Sequence, residues 1–138
     1  MLHLLALGAF TTLLAQANAT PPAPAAPSWS SIHLRSCTIL PRGRMGLQTG
    51  GIELVYVNRA AVAAKSITFG IVYRKQPGVV TDHGTFSPGT VIDHSFETVF
   101  YAQGFEGPTP EICRVRKVVF ADGTVSTAPP LTAEPAVP

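Results

Sequence analysis

The sequence predicts an all-β fold: one antiparallel sandwich of about seven strands, pinned by a single disulfide. Three observations carry that prediction. Apolar and polar residues alternate along several segments, turn motifs separate those segments, and two cysteines lie near the ends of the alternating region.

The elements follow in chain order. A first strand over Ile32–Leu40 carries Cys37. Ile52, Leu54 and Tyr56 then alternate with Glu53, Val55 and Val57 and run into Asn58. Residues 59–65 (Arg-Ala-Ala-Val-Ala-Ala-Lys) have helical composition but span only about two turns, too short to stand alone, so a loop or a single helical turn is expected. Ile67, Phe69, Ile71 and Tyr73 alternate with Thr68, Gly70, Val72 and Arg74, the period of a half-buried strand. Ile92, His94 and Phe96 alternate with Val91, Asp93 and Ser95. The last long strand, residues 112–121, sets Cys113 and Val115 on one face and then changes phase, because Val118 and Phe120 are its next core residues. One extra residue at Arg116-Lys117 restores the phase, which predicts a β-bulge. Turns are expected at Pro41-Arg42-Gly43, Gln76-Pro77-Gly78, Ser87-Pro88-Gly89 and Asp122-Gly123, where a residue fixes φ or tolerates a positive one. On this assignment no proline falls inside a strand. Short strands and regular turns, with a disulfide between the first and last long strands, describe a sandwich of immunoglobulin-like or fibronectin III-like type. The cysteine pairing differs from that of antibody domains, since Trp29 precedes both cysteines.

Compartment is read from the two ends and from the thiols. Residues 1–19 have the form of a secretory signal peptide, with an apolar run over 4–14 and Ala17-Asn18-Ala19 as a small–x–small cleavage site. That run is far short of a membrane span, so no membrane-spanning segment is expected after cleavage. Its first residues, Met1-Leu2-His3, carry no Lys or Arg. Residues 20–27 form a Pro/Ala-rich linker, 28–127 the sandwich domain, and 128–138 a Pro-rich disordered tail. Two cysteines in an exported chain predict a Cys37–Cys113 disulfide; no second ligand lies at the close spacing that a thiolate metal site favours. The expected location is periplasmic or secreted.

The strings Val55-Tyr56-Val57-Asn58, Ile67-Thr68-Phe69, Gly84-Thr85-Phe86-Ser87-Pro88-Gly89, Ile92-Asp93-His94-Ser95-Phe96 and 118–124 (Val-Val-Phe-Ala-Asp-Gly-Thr) resemble those of uncharacterised small secreted bacterial proteins. These have a signal peptide followed by one immunoglobulin-like domain. The resemblance covers most of the mature chain, but its motifs are those of turns and core faces, so it implies a fold and no chemistry. An aromatic residue often follows the Asp-Gly-Thr turn in that group; this chain has Val125.

Charge and motif spacing exclude much else. Charged residues are 13% of the chain, and its ten basic residues are spread from Arg35 to Lys117 with one cluster, Arg114, Arg116 and Lys117. That pattern reads as a solvated strand face, and no nucleic-acid partner is expected. There is no Gly-x-Ser-x-Gly elbow, no phosphate-cradling loop and no cofactor motif, and the eight acidic residues are scattered. The chain is therefore expected not to be an enzyme. Two candidate sites remain. Asp82-His83 and Asp93-His94 flank Ser87-Pro88-Gly89-Thr90; if Pro88-Gly89 is a two-residue hairpin loop, His83 lies opposite His94 with Cβ atoms about 5 Å apart. Two imidazoles with nearby carboxylates suit Zn²⁺ or Cu²⁺, and His33 is a candidate third ligand. Against this, Pro-Gly favours a type II turn, and His94 shares a face with Ile92 and Phe96, as a packed histidine would. The second candidate is aromatic. Phe100, Tyr101 and Phe105 lie at a Gly/Pro-rich loop, and Tyr101 and Phe105 are candidate contacts for an envelope protein or a glycan. The expected function is thus a non-enzymatic binding or envelope-structural module, the alternative being a periplasmic metal-binding protein that uses His83 and His94.

Overall fold

The structure is a computed structural model and describes residues 25–41, 50–97 and 105–130. The expected signal peptide, most of the expected linker and tail, the body of the first expected turn, and Phe100 and Tyr101 lie outside the described residues. A single 3₁₀ turn, Trp29–Ser31, capped by the Ser28 side chain, leads into β1 (Ile32–Leu40). Then follow β2 (Gly51–Asn58), β3 (Ala64–Tyr73), β4 (Gln76–Phe86), β5 (Val91–Glu97), β6 (Ile112–Phe120) and β7 (Val125–Thr127). All pairings are antiparallel, in a three-stranded sheet of order β1-β2-β5 and a four-stranded sheet of order β4-β3-β6-β7.

The alternation seen in the sequence sets which side chains meet between the sheets. Ile52, Leu54 and Tyr56 of β2 face Ile67, Phe69 and Ile71 of β3, and all six are buried. The Tyr56 ring packs 5.1 Å from that of Phe69 and 5.8 Å from that of Phe86. The predicted disulfide is present: Cys37 of β1 bonds Cys113 of β6 and ties one sheet to the other. The predicted bulge is present as well. Thr68 pairs with Lys117 and Phe69 with Val115, so Arg116 is the extra residue that lets Val115, Val118 and Phe120 all turn inward. Gly70, which pairs with Arg114, has no side chain, and the Arg116 stem lies across it, with Cγ 2.8 Å from where a Cβ would stand. Further register shifts lie at Leu34/Ser36 in β1 and at Ala64/Ser66 in β3.

Two expectations are corrected. The chain does not reverse at Gln76-Pro77-Gly78; it reverses one step earlier, at Arg74-Lys75, and Pro77 lies inside β4 opposite Val72. Proline is tolerated there because β4 is an edge strand, where a ladder hydrogen bond is needed on one side only. The Pro88-Gly89 turn does not make a hairpin either. It carries the chain from β4 in one sheet to β5 in the other, with Gly89 at φ 78° and its N–H donating to the Asn58 carbonyl. Asn58 anchors that crossover from inside. Fully buried, its side chain donates to the Val62 and Phe86 carbonyls and accepts from the Ala60 N–H, all at 2.9 Å.

Candidate functional site

Two polar clusters stand out, one inside the sandwich and one at its end. The inner cluster begins with β4, whose inward-facing residues Val80, Asp82 and Phe86 place a carboxylate among core residues. Asp82 is only 2% exposed, and a buried carboxylate must be met by donors. Both donors come from the opposite sheet. The Tyr56 hydroxyl donates to Asp82 Oδ2 at 2.6 Å, and His94 Nδ1 lies 2.9 Å from the same oxygen. Burial first, then the bond to Asp82 and its charge, hold the Tyr56 phenol well above the ordinary tyrosine range, so it stays a donor. Accepting from both sides, the carboxylate fixes the Nδ1–H form of His94, which leaves Nε2 as the ring's acceptor when neutral. The His94 side chain is 52% exposed and packs against Phe96, ring centres 4.5 Å apart. An imidazole oriented by a buried carboxylate has the form of a general base. Among the described residues no hydroxyl or thiol bonds to its ring.

The metal candidates are not brought together. His94 pairs with Leu54 and turns toward the core side of β5, whereas His83 pairs with Ser66 in the other sheet and is exposed. The hairpin expected to set His83 opposite His94 does not form, because the Ser87-Pro88-Gly89-Thr90 segment crosses between sheets. His33, on β1, is exposed opposite Val57, on the opposite edge strand from β5. Among the described residues no three His, Cys, Asp or Glu side chains group as a metal site.

The second cluster surrounds the β3–β4 loop. Arg74 and Lys75 have φ of 53° and 62°, the left-handed region that side chains with a Cβ enter at a cost. Neighbouring groups hold them there. The Arg74 and Lys75 N–H groups donate to the two Glu111 carboxylate oxygens at 2.9 and 3.3 Å, and the Arg74 guanidinium pairs with Glu106. Beneath them the Tyr73 hydroxyl donates to the Gly107 carbonyl and accepts from the Glu106 N–H, each at 2.9 Å. The backbone around residues 106 and 107 is thus clamped from both sides, while Phe105 beside it is 46% exposed. The sequence singled out Phe105, named Asp82 as a carboxylate beside His83 and Tyr56 as a core residue, but missed the buried cluster that Asp82 forms with Tyr56 and His94, and missed Glu106. The legible signal for Asp82 is its place in the inward phase of Val80 and Phe86, which the turn-like composition of Gln76-Pro77-Gly78 obscures.

No family model, curated protein or solved structure matches the chain. The resemblance to small secreted bacterial proteins gains no support from those comparisons, and the functional reading rests on this chain's own residues. Among the described residues no helix is long and apolar enough to cross a membrane. The Cys37–Cys113 bond is compatible with an oxidising periplasmic or extracellular compartment.

Proposed function

We propose that the protein is a periplasmic or secreted, non-enzymatic binding or envelope-structural module of immunoglobulin-like or fibronectin III-like type, akin to small secreted bacterial sandwich proteins. Its contacts are made at the end of the sandwich that presents Phe105. One observation carries this reading: an exposed aromatic ring sits beside backbone held by the Tyr73 hydroxyl and by the Arg74–Glu106 pair. An aromatic residue on ordered backbone loses little conformational entropy when a partner covers it, which favours binding. The strand orders β1-β2-β5 and β4-β3-β6-β7 support the fibronectin III-like assignment.

The test is retention of envelope proteins, and of arrayed glycans, by immobilised wild-type protein and by Phe105→Ala. A Val125→Ala variant, altered at an exposed apolar residue on β7, serves as control. The expected result is a ligand held by wild type and by the control and lost with Phe105→Ala. An identical retained set for all three proteins sinks the proposal.

A further inference from the structure

Among the described residues the sandwich has four strand edges, and three of them are blunted. β1 carries the Leu34/Ser36 register shift, and its Ile39 N–H already donates to the Pro108 carbonyl at 2.7 Å. β7 is three residues long. β4 contains Pro77, Gly78 and Gly84. Proline, bulges and short length are the usual protections of an edge. β5 has none of them. It pairs with β2 over seven residues without a register break and contains no Pro, Gly or Lys. Its Val91 is 47% exposed, and Ile92 and Phe96 are only partly covered.

The composition of β5 favours one occupant. A second β5 laid antiparallel beside the first can be centred on Asp93, His94 or Ser95 while keeping inner faces together. Centring on Asp93 sets that carboxylate against its own copy. Centring on Ser95 sets Asp93 against Glu97 twice. Centring on His94 brings no acids face to face, pairs Ile92 with Phe96 twice on the inner face and Asp93 with Ser95 twice on the outer face, and uses all seven residues. We propose that a second copy of this chain adds to the β5 edge in this register, the two-fold axis passing through His94. Each His94, its Nδ1 held by the buried Asp82 of its own chain, then faces its counterpart across the axis. The interface is isologous and extends the three-stranded sheet to six strands.

Sedimentation velocity of the full chain from micromolar to millimolar concentration, combined with charge substitutions on the exposed outer face, tests this. Ser95→Asp sets the introduced carboxylate against Asp93 of the other copy twice and is expected to weaken the dimer by about tenfold. The double variant Asp93→Lys/Ser95→Asp places opposite charges at both positions and is expected to restore association to the wild-type level or above. Circular dichroism confirms that both variants fold. Rescue by the double variant supports the register; a wild-type chain that stays monomeric throughout overturns the proposal, as does a dimer indifferent to both substitutions.

Discussion

Asp82 shows how much one side chain decides in this molecule. It is a carboxylate in the core phase of its strand, tolerated because Tyr56 and His94 reach it from the facing sheet. Removing one partner of such a buried group costs more than the bond was worth, since the remaining groups lose their solvation as well. Asp82→Ala is expected to lower unfolding free energy by roughly 3 kcal/mol, and Tyr56→Phe by about 1–2 kcal/mol, both measured by urea denaturation. Alkaline behaviour follows from the raised Tyr56 pKa. The unfolded phenol loses its proton at about pH 10 while the folded one keeps it. Its stabilising contribution is therefore complete below that pH and declines as pH rises further. Over roughly pH 10 to 11.5 the wild type should lose stability more steeply than Tyr56→Phe, and ultraviolet titration should show Tyr56 ionising only on unfolding.

At the scale of elements, the β3–β4 loop is the place where local preference and observed geometry disagree. A two-residue hairpin with both central φ values positive favours Asn-Gly, yet this one is Arg-Lys. Glu111 compensates by accepting from both loop N–H groups. Lys75→Gly removes the backbone cost and should raise stability by about 1 kcal/mol, seen as a melting temperature several degrees higher. Glu111→Gln keeps the shape but loses the charge-assisted bonds, and a fall of about 1 kcal/mol is expected in the same measurement. The strain also explains the misplaced turn. Gln76-Pro77-Gly78 has the composition of a reversal, and nothing local in Arg74-Lys75 announces one. The bulge, by contrast, was legible, because the core residues Val115, Val118 and Phe120 cannot share a face without one extra residue.

For the whole molecule, the two sheets are joined by links of different chemistry, the Asn58 bond to the Phe86 carbonyl among them. The Cys37–Cys113 bond closes a separation of 76 residues between β1 and β6, and Tyr56, Asp82 and His94 link β2, β4 and β5. Cross-linking so long a loop removes chain entropy from the unfolded state worth about 4.5 kcal/mol on the polymer model. Comparing oxidised protein with Cys37→Ala/Cys113→Ala by denaturant titration should show a loss of that order; a loss below about 1 kcal/mol would contradict the entropic account.

What the sequence alone determined was whatever depends on near neighbours. Alternation fixed which residues of β2, β3 and β6 turn inward, the phase change in β6 fixed its bulge, and an even pair of cysteines fixed the cross-link. Only the tertiary structure decided which strands become neighbours. The segment after β4 turns into the opposite sheet, so His83 and His94 part company and His94 meets Asp82 instead. The physical reason is that periodicity specifies the face a side chain takes along its own strand, whereas the identity of the strand opposite depends on how two sheets close over a shared core.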